Sequence, residues 1–172
     1  MLTKIDLCAA ALLKLGEQPI QSWNDNTASA QLSRTLFDPV VDTLIASHPW
    51  KFATKKFNLN KTAEGDFQIP SDVLRVLHCG GQVLGNKIIS ADETLSITAL
   101  VRTPVENFPS YFISLAATKL AMEFCIPLAG DQTVFRMLVA LYESELKSAK
   151  FIDSTISANA GVKEFSLISS RF

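Results

Sequence analysis

The side chains best suited to nucleophilic or metal chemistry are two histidines, His48 and His78, and three cysteines, Cys8, Cys79 and Cys125. A metal site needs several His, Cys or acidic ligands converging at fixed spacing. His78 and Cys79 are adjacent in the β-rich run VLRVLHC, and strand alternation sends their side chains to opposite faces. Neither a CxxC nor an HExxH pattern occurs. A cysteine nucleophile needs a base and an orienting group beside it. Cys8 and Cys125 fall instead on apolar faces of helical patterns, where cysteine behaves as a small hydrophobe. There is no GxSxG, no phosphate-cradling glycine loop and no dinucleotide fingerprint. Asp38 and Asp42 stand four apart on one helical side, a spacing open to acid–base work but more simply read as a solvated face. No catalytic, cofactor or metal residue is assigned, and the expectation is a protein that is not an enzyme.

The stretch SHPWKFATKK, 47–56, collects His48, Trp50 and the start of a basic cluster: Lys51, Lys55, Lys56 and Lys61. Phe52 and Phe57 interleave with these lysines, a pattern compatible with single-strand binding. Four lysines in a chain of net charge −1 make a weak patch, because phosphate binding runs on clustered Lys and Arg. The stretch is read as a seam. His48 ends a helix, where a partly charged imidazole would favour the dipole. Pro49 stops that helix. Trp50 and Phe52 pack the start of a sheet against a helical body, and Lys55 and Lys56 stay exposed.

The elements around the seam follow from periodicity. TKIDLCAAALLKLGEQPI reads as an amphipathic helix capped by Thr3 and Asp6 and stopped by Gly16 and Pro19. Asn26 or Thr27 caps a second helix, in which Pro39 predicts a kink or break near Asp38. From Trp50 to about Thr103 the runs are short and β-branched. In TLSITALVR, Leu95, Ile97, Ala99 and Val101 alternate with polar residues, the period of a half-buried strand. Gly85-Asn86 sits between apolar pairs as a two-residue hairpin turn with positive φ. A third helix opens at Pro109 and is closed by Pro127 and Gly130. Asp131 caps a fourth, with Phe135, Leu138, Leu141, Tyr142, Leu146 and Ala149 as its apolar stripe. The fold class expected is mainly α (α+β): a four-helix core bundle over 1–152, a small antiparallel sheet inserted at about 50–103, and an extended C-terminal arm over 153–172.

The arm, DSTISANAGVKEFSLISSRF, has no helical period, and it closes on Phe165, Leu167, Ile168 and Phe172. A free tail is usually polar. This one either folds back on its own domain or reaches a partner chain. With 172 residues, 48% of them hydrophobic, a substantial core can form. No apolar run reaches the roughly 20 residues of a membrane helix. The odd cysteine count fits a reducing compartment, and the start lacks a clear cleavage site. The expectation is a soluble chain without a targeting segment and without membrane association.

The order of signatures resembles the tail tubular protein A family of short-tailed phages and related prophage head–tail adaptors. The matching pieces are ALLKLGEQPI at 11–20, SHPWKFA at 47–53, IPSDVLRVL at 69–77, YFISLAATKLAMEFCIPLAGD at 111–131 and YESELKSAK at 142–150. HPW followed by FA shortly after the second helix is the most distinctive. The pieces cover most of the chain, which is shorter in the middle than many tail tubular proteins. The resemblance implies a structural adaptor of the virion neck, made in the host cytoplasm. What the resemblance implies is a homo-oligomeric ring, of twelve copies in well-known members of the family, joining the portal protein to the tail nozzle protein. DNA passes through without sequence-specific binding, and no cofactor is implied. The residues expected to meet partners are Val162, Phe165, Leu167, Ile168, Arg171 and Phe172 in the arm, Lys55 and Lys56 in the basic cluster, and Gly85 and Asn86 at the hairpin tip. A helical protein- or peptide-binding module with a self-docking tail is the alternative.

Overall fold

The computed structural model describes residues 2–156. It contains four helices and two small antiparallel sheets, a mixed α+β chain: α1 (Lys4–Lys14), α2 (Ala28–Ser47), β1 (Thr54–Asn60), β2 (Phe67–Gln68), β3 (Val73–His78), β4 (Gln82–Leu84), β5 (Lys87–Ile89), β6 (Thr94–Val101), α3 (Ser110–Leu128) and α4 (Gln132–Ile156).

Local chemistry explains where the helices begin and end. Asp6 N–H donates to the Thr3 hydroxyl and Thr3 N–H donates to the Asp6 carboxylate, so the capping box forms at α1. Gly16 follows at φ +76, a conformation open to glycine. Thr27, rather than Asn26, caps α2 by accepting from Ala30 N–H. Asp131 accepts from Thr133 N–H at 2.7 Å and from Val134 N–H at 3.2 Å, capping α4.

Three expectations are corrected. The first concerns the break that was one of two outcomes expected near Asp38: α2 is continuous through Pro39. Pro39 withholds one donor from the Thr35 carbonyl, but Thr35, Asp38 and Pro39 all lie on the exposed side, where water can serve that oxygen. Pro127, likewise, sits inside the last turn of α3, and the stop comes at Gly130, φ +62. Lastly, the boundary expected at 152/153 falls inside α4, which runs on to Ile156.

The inserted β region is two sheets rather than one. Strand order is β1-β6-β3 in the first and β2-β5-β4 in the second. β6 pairs with β1 from Thr54↔Leu100 to Asn60↔Thr94, and with β3 across two register shifts. Its burial changes along its length. Leu95 and Ile97 are buried while Thr94 and Ser96 are exposed, the expected alternation, but Ala99, Leu100 and Val101 are all buried. The far half has one covered face and the near half has two, because only the near half reaches the helices.

Two apolar clusters result. The larger joins Leu12 of α1, Ile45 of α2, Trp50, Leu115 and Phe124 of α3, and Ala149 of α4. The smaller, under the sheets, holds Phe67, Ile88, Leu95, Ile97 and Ala99. α3 packs against each of the other three helices. By length and composition α3 is apolar enough to cross a membrane, with half of that window buried inside the protein. Phe112, Leu115, Leu120 and Phe124 take up those buried positions, as in a core helix.

Candidate functional site

SHPWKFA closes the seam between helices and sheet. Trp50 is fully buried, and its indole N–H donates to the Leu44 carbonyl at 3.1 Å, serving one of the orphan oxygens at the end of α2. Phe112 meets Trp50 edge-on at 5.3 Å and Phe108 at 4.9 Å, while Phe52 lies 4.7 Å from Phe112. These geometries suit aromatic quadrupoles. Trp50 and Phe52 thus pack as the sequence predicts, with Phe52 in a short 3-10 turn, Lys51–Ala53, that leads into β1.

His48 differs from expectation. Its ring stands edge-on to Trp50 at 4.6 Å, and Nε2 lies 3.9 Å from Asp153 Oδ2, too far for a hydrogen bond. Burial, then the Lys150 charge, push its pKa below the ordinary value, against the pull of Asp153. The neutral imidazole is therefore the favoured form, not a dipole-stabilised cation.

Asp153 is the polar centre of the seam. Only 1% of it is exposed. Its carboxylate accepts from Lys51 N–H at 3.0 Å and from the Tyr111 hydroxyl at 2.8 Å. One residue of α4 thereby holds the turn after Pro49 and the first turn of α3. Burial, the Asp153 bond and the Asp153 charge all raise the Tyr111 pKa, keeping the phenol protonated as a donor. The sequence signal was available. Leu138, Tyr142, Leu146 and Ala149 mark the inner face of α4, and one further turn places Asp153 on that face.

Lys55 and Lys56 are exposed on β1, an edge strand, where lysines blunt unwanted pairing. That strand was missed in sequence because its lysines hide the alternation of Phe57 and Leu59, which face the smaller cluster. Gly85 and Asn86 form the exposed tip between β4 and β5, with positive φ at Gly85 alone, +60. A groove of about 630 Å³ runs beneath that tip, between Val83, Gly85 and Asn86 on one side and Val73, Leu74 and Arg75 on the other. The two lysines and the hairpin tip belong to different sheets and do not form one site. Val162, Phe165, Leu167, Ile168, Arg171 and Phe172 lie outside the described residues.

The remaining chemical candidates are structural. Cys8 and Cys125 are buried, and desolvation holds the Cys8 thiol up at about 11, far from a thiolate at neutral pH. Asp38 pairs with Lys4 at 2.6 Å and Asp42 pairs with Arg102, so the two acids tie α2 to other elements. Among the described residues, no group of three His, Cys, Asp or Glu side chains is placed to hold a metal ion.

Sequence reasoning also missed an outward stripe on α4. Phe151 is 70% exposed and Met137 68%, with Ile152 exposed on the same side; Leu141, expected in the apolar stripe with Leu138 and Ala149, is also exposed, because it stands one turn after Met137 on the outer side. The outer stripe has the same helical period as the inner face but starts from Met137, so a pattern started from Leu138 passes over it. No family model matches this chain, and no curated protein matches it.

Proposed function

We propose that this protein is a structural head–tail adaptor of a tailed phage, a ring-forming subunit between portal and tail nozzle. The four helices act as its core bundle, and the C-terminal segment acts as an extended arm that docks on the portal or on the next subunit. The observation that carries this reading is where large apolar side chains stay exposed. Apart from Leu13 on α1 and Ile126 on α3, they collect on the outer side of α4 and, separately, on the β4–β5 hairpin, at Val83, Leu84 and Ile89. A chain that meets neighbours on more than one side needs such separate surfaces, whereas scattered single residues need no explanation. Ring closure then follows when one surface of each copy meets a different surface of the next.

In this reading the hairpin tip, Gly85 and Asn86, faces the nozzle, and Lys55 and Lys56 face acidic protein surfaces. A net charge of −1 suits a channel that releases DNA without gripping it. The test is electron microscopy of the protein alone and mixed with portal rings, read as particle size and symmetry. A chain lacking Gly161 to Phe172 should fold yet fail to join the portal. Normal joining by that truncation would sink the role of the arm, and absence of any ring would sink the adaptor.

A further inference from the structure

A pocket of about 410 Å³ lies where α4 ends and α3 begins, and the last described residue, Ile156, stands on its lip. Phe52, Phe108, Pro109 and Tyr111 supply its apolar wall. Phe52 and Phe108 meet edge-on at 5.7 Å and the Tyr111 hydroxyl is held by Asp153, so the wall is preformed. A cavity of roughly 150 Å³ already accepts a benzene ring. Lys51 and Glu106 stand on the rim, both exposed, and among the described residues neither side chain forms an ion pair. The sequence continues from the lip with SANAG, 157–161, small residues whose Asn and Gly favour a reversal. VKEFSLI follows at 162–168. In it Phe165 and Leu167 have the two-residue spacing of an extended segment, and Lys163 and Glu164 stand just before Phe165.

We propose that residues 162–168 fold back on their own chain, with Phe165 seated in this pocket, Lys163 against Glu106 and Glu164 against Lys51. The segment leaves from the lip of the pocket itself, and the nine residues from Ile156 to Phe165 can span at most about 30 Å, ample for a reversal over the rim. Adjacent side chains of an extended segment point to opposite sides, so Lys163 and Glu164 reach different parts of the rim. The tether selects the occupant. A short flexible link holds the segment at an effective concentration on the order of millimolar, so at lower protein concentrations it outcompetes the same segment of a second copy. The contact belongs to the free chain and does not rest on the ring reading. In an adaptor it would keep the apolar arm out of water until a partner takes it.

The test is NMR and hydrogen exchange on the full chain over a concentration series. The Phe165 ring should show NOEs to Phe52 and Tyr111, and amides 162–168 should exchange roughly tenfold or more slowly than those of a free VKEFSLI peptide. Phe165→Asp removes the anchor, and Asn107→Trp fills the pocket from an exposed position on its lining. Each should return the segment to the free-peptide rate while the amides of α3 keep theirs. The ion pairs lie on an exposed rim, so Glu106→Lys should speed exchange only about two- to threefold, and adding Lys163→Glu should reverse that gain. Free-peptide exchange in the wild type overturns the proposal. Protection that survives both Phe165→Asp and Asn107→Trp places the segment elsewhere and overturns the pocket. Protection that grows with protein concentration, with NOEs between labelled and unlabelled chains, assigns the pocket to a second copy and overturns the fold-back. A docked segment in a chain that forms no ring, alone or on portal rings, leaves this contact standing and sinks the adaptor.

Discussion

Asp153 is a charged residue in the last turn of a helix, where the dipole disfavours an anion, and it is buried. Its two donors, Lys51 N–H and the Tyr111 hydroxyl, make that placement tolerable. Asp153→Ala should therefore cost about 3 kcal/mol, since both donors lose a charged acceptor. Tyr111→Phe should cost about 1–2 kcal/mol, and the double variant should fall short of the sum by roughly 0.5 kcal/mol or more. Urea denaturation measures all three, and strict additivity would mean that the pair does not act as a unit. His48 adds a pH dependence. Its folded pKa lies below the ordinary 6.5, so between those values the unfolded chain binds more protons than the folded one. Stability is full above that window and declines as pH falls through it. Replacing His48 with Gln should shrink the drop in Tm between about pH 7 and pH 5 relative to the wild type. An unchanged drop would assign it to the carboxylates.

The smaller sheet depends on a glycine that makes no turn. A Cβ on Gly81 would lie 2.4 Å from the Ile89 carbonyl oxygen and 2.9 Å from Ile88 Cγ2, so the backbone of β5 blocks any side chain there. Gly81→Ala should cost about 1–3 kcal/mol and loosen β4 from β5. The cross-strand contacts of Val83 with Ile88 would be lost from NMR spectra, while those between β1 and β6 remain. Survival of the β4–β5 contacts would show that the strand shifts to make room. Lys87 supports the same strand from outside. It bridges Glu64 at 2.8 Å and Asp66 at 2.7 Å, and hydrogen bonds to those acids raise its pKa. These are surface pairs in water, so they help fix the position of the loop before β2 more than they add stability.

At the scale of the molecule the two apolar clusters are unequal, and β6 runs between them. The large cluster draws on all four helices, whereas the small one rests on a few side chains under short strands. Local opening follows contact density. Amides of β2, β4 and β5 should exchange with solvent at a lower free energy than those of α3, with β6 graded from Leu95 toward Leu100. Equal protection throughout would show a single cooperative unit. Such a division would suit the proposed adaptor, in which the hairpin adjusts to a partner while the helices keep the spacing of the proposed ring.

Local rules determined much of this protein. The caps at Thr3 and Asp131, the stop at Gly16, the hairpin at Gly85 and the buried Trp50 each depend on a few neighbouring residues, and each was legible in their types and spacing. Three features were decided only by the tertiary structure. Pro39 does not break α2, because its face of the helix is turned to water. Asp153 is a core residue, because α4 continues past 152 and its partners lie 102 and 42 positions away in the chain. The outer stripe of α4 became a surface only once the other helices had covered the inner one. Contacts between residues distant in sequence set burial, and burial decides whether a charge is a solvated ornament or a structural hub and whether an apolar side chain belongs to the core or to a partner.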